Sequence, residues 1–207
     1  MVRRLEEVET KPLLVVGVVT DTHVPDRADA LHPAVIPTLK GAGVQRILHA
    51  GDVSISSVLD ELSTVAPVTA VRGNRDWAFH GSLDLVENLE LAGVKLMLTH
   101  GHGGLSHYLL DKALYWTRGY RFEHYQSWLA AMAQDAQVIV FGHTHRAVNR
   151  QVGGTLYFNP GSACVQDVRD LPPTVGILRI FPDQRVVAEI VELDGYRLEK
   201  GHWVAKD

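Results

Sequence analysis

The chain has 207 residues, 46% apolar and 21% charged, which is ordinary for a soluble globular protein and suits one domain with a sizeable core. Its net charge of −4 argues against a generally basic nucleic-acid-binding surface, though not against a nucleic-acid substrate held locally by metal ions. The single cysteine, Cys164, excludes an internal disulfide and fits a reducing cytosol, and no apolar run approaches the ~20 residues of a membrane span.

Residues 1–11 are charged and lack the apolar core of a secretion signal, so they are expected to form a weakly ordered lead-in to a single domain over 12–207. Residues 13–20 form a continuous apolar run, read as a central buried strand, that ends in Asp21-Thr22-His23. A helix is expected over about 28–40, kinked or restarted near Pro33 and Pro37 and ended by Gly41 and Gly43. A short strand over 44–49 leads into Ala50-Gly51-Asp52, and helical spacing over 54–64 follows with Ser54 as its cap candidate. A strand over 65–71 runs into Arg72-Gly73-Asn74-Arg75-Asp76.

Residues 89–98 read as a hairpin turning at Ala92-Gly93, and its second strand ends in Thr99-His100-Gly101-His102. Two helices joined near Arg118-Gly119 are expected over 105–134, rich in aromatic residues that include Trp116 and Tyr120. Packing of this insertion on the sheet is the main reading, and a lid or dimer surface the minor one. Residues 138–141 form an apolar run into Gly142-His143-Thr144-His145, where glycine is expected to let the chain turn. If that segment stays extended, its two imidazoles project to one side. A hairpin over 147–158, the stretch Asn159-Pro160-Gly161-Ser162, and strands over 175–181 and 186–193 complete the chain. Strand and helix alternate in the first half and strands dominate the second, which favours a mixed sheet or two packed sheets flanked by helices.

Five strand ends thus carry polar residues: Asp21/His23, Asp52, Asn74, His100/His102 and His143/His145. In α/β sheets the ligand site lies beyond the carboxyl ends of strands, so all five can converge. Oxygen donors mixed with imidazoles and no thiolate suit manganese, iron, zinc, nickel or cobalt better than calcium. Seven donors are too many for one ion and suit two ions that share a carboxylate. Each piece alone is weak, because Gly-Asp and Gly-Asn pairs are common in turns; their order, each after an apolar strand, carries the reading.

The series Asp21-x-His23, Gly51-Asp52, Gly73-Asn74-x-Asp76, His100-Gly101-His102 and Gly142-His143-Thr144-His145 resembles the calcineurin-like metallophosphoesterase signature. The short length and Asn159-Pro160-Gly161-Ser162 resemble its small prokaryotic phosphodiesterase branch. The resemblance implies a two-sheet α/β sandwich with a dinuclear centre of divalent transition ions, manganese foremost and nickel, iron, zinc or cobalt as alternatives. One ion would be held by Asp21, His23, Asp52 and His145, the other by Asp52, Asn74, His100 and His143, with Asp52 as the bridge. It also implies a metal-dependent hydrolase in which a bridging hydroxide attacks phosphorus in line.

One position departs from the pattern. The broader family often has histidine after Gly-Asn, helping to protonate the leaving group, whereas this chain has Arg75. Arginine cannot act as a general acid, but it can bind a phosphate oxygen or pair with an acid such as Asp76. His102 is the alternative proton donor or phosphate contact, or it supports a ligand. Asp76 is expected to orient a neighbouring group. His32, His80, His107, His124 and His202 are read as surface or packing residues, and His49, beside Ala50-Gly51-Asp52, as a support of the site.

The expected activity is a cytoplasmic phosphodiesterase acting on a small or nucleotide-like phosphodiester, with no membrane partner, no long nucleic acid and the question of a homo-oligomer open. Two alternatives stand beside it. One is a phosphomonoesterase or nucleotidase. The other is a non-catalytic scaffold, since the fold also resembles the retromer scaffold subunit, whose metal site has lost key residues; here every ligand position is filled.

Overall fold

The computed structural model describes residues 11–76, 82–103, 117, 119–164 and 171–206. Two five-stranded mixed sheets are packed face to face. The first contains β1 (Leu14–Val19), β2 (Arg46–His49), β3 (Val68–Ala70), β9 (Thr174–Ile180) and β10 (Val186–Glu192), in the order β10-β9-β1-β2-β3. The second contains β4 (Val86–Leu91), β5 (Val94–Thr99), β6 (Val138–Val140), β7 (Val148–Val152) and β8 (Thr155–Asn159), in the order β4-β5-β6-β8-β7. The strands β1, β2 and β3 run parallel, as do β5, β6 and β8, so each sheet presents a set of carboxyl ends together. A further hairpin, β11 (Tyr196–Glu199) with β12 (His202–Ala205), stands apart from both sheets.

The apolar runs explain the layering. Side chains alternate across a strand, so a strand covered on both faces must be apolar at every position. Val16 and Val18 of β1 and Val138 and Val140 of β6 meet Leu48, Leu98 and Phe158 between the sheets. Val19 and Ile47 face outward, against Val35 and Leu39 of α1 (Val35–Gly41) and Val58 and Leu62 of α2 (Ser56–Ser63). On the other side Met97 and Ile139 meet Phe122, Tyr125 and Leu129 of α3 (Phe122–Met132). Each fully buried Val, Leu or Phe contributes about 1.5–3 kcal/mol of transfer free energy, so these layers hold the strand ends in place.

Several boundaries differ from the sequence reading. The first helix starts at Val35, not Ala28. The residue before proline is disfavoured in helical geometry, so His32-Pro33 delays the start, and Pro37 then falls in the first turn, where its missing N–H costs nothing. Ser54 does not cap α2: Ile55 occupies that position, and Ser54 adopts φ +68 with its N–H given to Asp76. The hairpin β11–β12 has no counterpart among the expected strands. The reading of the 89–98 hairpin needs only longer strands, and Ala92 and Gly93, at φ +50 and +81, make the tight turn between them. The lead-in at 1–10 and the first half of the aromatic insertion, with Trp116, lie outside the described residues, as do His80 and His107.

Candidate metal centre

Each predicted site residue except Arg75 is buried or half-buried, and the nine lie on the loops that leave β1, β2, β3, β5 and β6. The route by which they converge is not the expected one. Asp21, His23, Asp52, His143 and His145 have φ of +54, +51, +55, +67 and +53. None is extended, so strand alternation does not place the paired ligands. Left-handed residues, two apart in each paired loop, turn the chain at the strand ends instead. Such a residue costs about 1 kcal/mol or more and is kept where the surroundings over-determine it, typically at functional sites.

The surroundings here are close backbone approaches and buried polar clamps. A Cβ on Gly73 would overlap the Asp52 amide and carboxylate, and one on Gly142 would overlap the Thr20 hydroxyl and crowd Asp21. Gly142 is therefore required for close approach, rather than for the turn that the sequence suggested. Asp76 is 1% exposed and collects three backbone N–H donors: Asp52 at 2.9 Å, Gly73 at 2.7 Å and Ser54 at 2.7 Å. It joins the loops after β2 and β3 without entering the centre. Thr20 donates to Asp21 Oδ2 at 2.7 Å, and the His143 N–H donates to the same oxygen at 3.1 Å. That leaves Asp21 Oδ1 without an aligned donor. Asn159 donates to the Gly142 carbonyl at 2.8 Å, and Ser162 to the Asp21 carbonyl at 2.9 Å. The Asn-Pro-Gly-Ser stretch thus ties the two histidine loops together.

The donor atoms fall into two groups. In the first, His23 Nε2 and His145 Nε2 are 3.0 Å apart, and Asp21 Oδ1 lies 3.1 Å from His145 Nε2 and 3.8 Å from His23 Nε2. In the second, Asn74 Oδ1 is 2.9 Å from His143 Nδ1 and 3.1 Å from His100 Nε2. Asp52 sits between them, with Oδ1 3.4 Å from His100 Nε2 and Oδ2 3.9 Å from His23 Nδ1. His143 and His145, one residue apart, therefore serve different groups. Asp21 and Asp52 also approach each other closely enough to form a cluster with His100.

Electrostatics follow from burial and this crowding. Burial acts to raise the Asp21 carboxyl, but the imidazoles of His145, His100 and His23 outweigh it and hold the group below the usual carboxylate range. Burial raises Asp52, with His100 opposing. Burial lowers His23 to about 3, with Asp21 opposing and His145 adding to the shift. Burial, then His100 and His143, lower His102 to about 3. Two buried carboxylates, an amide oxygen and four imidazoles form a donor set that fits divalent transition ions. The buried Asp21 Oδ1 without a donor, aimed at the two facing Nε2 atoms, is what a cation would satisfy.

The remaining candidates stand around this centre. The His102 ring lies 5.2 Å from that of His100 and 6.1 Å from that of His143, and its Nδ1 is buried without a partner. Arg75 does not pair with Asp76. Its backbone N–H donates to Asp52 Oδ1 at 2.9 Å, and its side chain reaches Asp26 at the rim. His49 lies below the centre, its Nε2 3.4 Å from the Thr22 hydroxyl. Of the aromatic insertion, Phe122 and Tyr125 pack into the outer core with Tyr157, while Tyr120 lies beneath the Arg146 guanidinium at 5.1 Å. The sequence reading gave no role to Thr20 or to Ser162, which it named only within the Asn-Pro-Gly-Ser stretch, and it missed Asp26. The first two are short polar residues inside otherwise buried segments, a signal open to sequence reasoning; Asp26 gave none.

The chain belongs to the calcineurin-like phosphoesterase superfamily, whose domain it matches over residues 14–181. It is 32% identical over 178 residues to a probable metallophosphoesterase of Methanothermobacter thermautotrophicus, covering 86% of this chain and 92% of that one. It is 25% identical over 177 residues to a phosphodiesterase of Methanocaldococcus jannaschii, covering 79% of this chain and 91% of the relative. Among solved structures, vacuolar protein sorting 29 of Cryptosporidium parvum superposes with a TM-score of 0.66 at 19% identity, over 93% of this chain and 95% of the other. That last likeness concerns the fold alone.

Proposed function

We propose that the chain is a phosphodiesterase that uses two divalent transition ions, manganese first among them, to hydrolyse a small or nucleotide-like phosphodiester. The observation that carries this reading is Asp52, whose two carboxylate oxygens turn toward different donor groups, one to His100 and one to His23. Asp21, His23, Asp52 and His145 would hold one ion, and Asp52, Asn74, His100 and His143 the other. Such a pair supplies Lewis-acid polarisation of a phosphoryl oxygen and a water nucleophile at neutral pH.

The protein's own residues do the rest. Asn74 donates oxygen without negative charge, which keeps the site open to an anion. Thr20, Asp76, Asn159 and Ser162 hold the loops rigid, so little reorganisation is needed when substrate enters. His102 is neutral near pH 7 and acts as an N–H donor to a phosphate oxygen rather than as an imidazolium acid. Arg75 is at hand for a phosphate oxygen at the rim. With no strong acid for the leaving group, diesters with good leaving groups are favoured over demanding monoesters.

The test is a screen of aryl diesters, aryl monoesters and nucleotides on one metal-reconstituted preparation with measured metal content. Diester hydrolysis with Mn²⁺ or Ni²⁺ is expected, lost on chelation and reduced about a hundredfold or more by Asp52→Asn or His143→Ala. Full activity of the metal-stripped protein would sink the reading. The scaffold alternative draws on the likeness in fold to vacuolar protein sorting 29. Two bound ions with no turnover of any ester would favour it.

A further inference from the structure

Arg75 is placed between two carboxylates of different standing. Its Nη1 is 3.3 Å from Asp26 Oδ2 at the rim, and its Nε is 4.0 Å from the buried Asp52 Oδ2. The side chains of Arg75 and Asp26 are 42% and 38% exposed, so both are open to solvent beside the centre. Asp26 is also held in place. The loop that carries it starts at His23, whose carbonyl accepts the Arg27 N–H at 2.9 Å. Its far end is fastened to the C-terminal hairpin: the Asp29 N–H donates to the Gly201 carbonyl at 2.8 Å, Trp203 Nε1 to the Ala30 carbonyl at 2.9 Å, and His202 Nδ1 lies 2.6 Å from Asp29 Oδ2.

We propose that Asp26 is a specificity-determining residue that acts through Arg75: its carboxylate offsets the rim guanidinium and so selects singly charged phosphodiesters over doubly charged phosphomonoesters. The inference rests on the phosphoesterase reading above and deepens it. A diester carries one negative charge at pH 7 and a monoester nearly two. Attraction to a guanidinium scales with the charge of the incoming anion, so a carboxylate that engages Arg75 takes more attraction from the doubly charged anion than from the singly charged one. Asp26 therefore penalises the monoester about twice as heavily. A half-exposed ion pair is weak and readily displaced, so Arg75 can still turn to a phosphate oxygen, in competition with Asp26. A simple surface salt bridge would have no such consequence for substrate choice.

The experiment uses the metal-loaded full chain and its Asp26→Asn variant. It compares kcat/KM for an aryl phosphomonoester and an aryl phosphodiester with the same leaving group, and measures inorganic phosphate binding by calorimetry. Asp26→Asn should raise kcat/KM about fivefold for the monoester and about twofold for the diester, and tighten phosphate about fivefold. These gains should shrink as ionic strength rises, since exposed charges are screened within about 10 Å at 0.1 M salt. Asp26→Glu should keep the wild-type ratio, and Asp26→Asn placed on Arg75→Gln should change it less. Asp26→Ser, read by the same phosphate titration, covers failure of the Asn variant to fold. An unchanged monoester-to-diester ratio with unchanged phosphate affinity, in a wild-type protein that turns over diesters, would overturn the role of Asp26 alone. Absence of all turnover by the metal-loaded wild type would overturn the phosphoesterase reading beneath it.

Discussion

The Nε2 atoms of His23 and His145 face each other at 3.0 Å, with Asp21 Oδ1 3.1 Å from the second. Burial lowers His23 to about 3, and two imidazole nitrogens are gathered around one point with a buried carboxylate oxygen that has no aligned donor. Folding has brought these groups together at a cost that a cation would repay. Metal-stripped protein should accordingly melt lower than metal-loaded protein. At an ion concentration of ~100 Kd the stabilisation is about 2.7 kcal/mol, or roughly 5–10 °C for a domain of this size. Thermal melting across a Mn²⁺ titration measures it, with His145→Ala expected to lose a large part of the shift. A flat melting temperature would count against a metal centre.

Asp76 offers a test of how the centre is held. It accepts three backbone N–H bonds from Asp52, Gly73 and Ser54 and has no predicted role as a ligand. Asp76→Ala leaves those donors buried and unpaired, at a cost of about 3 kcal/mol or more. The Asp52 loop should then lose its fixed position, and metal affinity should fall by about ten- to a hundredfold, as for residues that orient ligands. Denaturant unfolding of the metal-free protein and metal titration of the same variant separate the two effects. A variant that loses stability yet binds metal like the wild type would show that Asp76 serves the fold alone.

The site was far more legible in the sequence than the path of the chain through it. All seven expected donors meet because each follows an apolar strand, and a strand buried on both faces leaves a plain mark in the sequence, as at Val138–Val140. The left-handed conformations of Asp21, His23, Asp52, His143 and His145 left no such mark. They are imposed by contacts between distant segments: the Thr20 hydroxyl against Gly142, the Asp52 carboxylate against Gly73, Ser162 against Asp21. Local propensity cannot report a contact across 141 residues. The β11–β12 hairpin was missed for a related reason: Tyr196-Arg197-Leu198-Glu199 alternates apolar and charged residues, but each strand is only four residues long and the anchoring partners, Asp29 and Ala30, lie at the other end of the chain.

That hairpin carries a pH-dependent part of the stability. His32 is 1% exposed, its ring 4.4 Å from that of Trp203 and 5.7 Å from that of Tyr196. Its Nδ1 accepts the Ala34 N–H, which requires that nitrogen to be unprotonated. Burial, with the nearby Lys206 adding, lowers its pKa from 6.5 to about 4. The folded state thus favours neutral His32, and the unfolded chain takes up the proton first as pH falls. The contribution is fully present above pH ~6.5 and is lost progressively toward pH 4. Unfolding of wild type and His32→Gln should be compared from pH 7.5 to 4, with the gap between the two narrowing as pH falls. A constant gap would show that His32 does not titrate in this range.

Two glycines provide a final contrast between space and strain. Gly142 separates β6 from His143, and a Cβ there would overlap the Thr20 hydroxyl and crowd Asp21 Oδ2. Gly41 ends α1 in ordinary helical geometry with nothing within 4 Å of where its Cβ would stand. Gly41→Ala should leave stability unchanged or raise it by up to about 1 kcal/mol, since alanine loses less entropy on folding and fits the helix. Gly142→Ala should cost about 1–3 kcal/mol by overpacking. Its larger effect should fall on the centre, because the atom displaced is the donor that orients Asp21. Metal affinity and diester turnover should drop together, by more than the stability loss accounts for. Isothermal metal titration at a temperature where both variants are folded reads this directly, and equal affinities for Gly41→Ala and Gly142→Ala would refute the claim that Gly142 is there to let Thr20 and Asp21 come close.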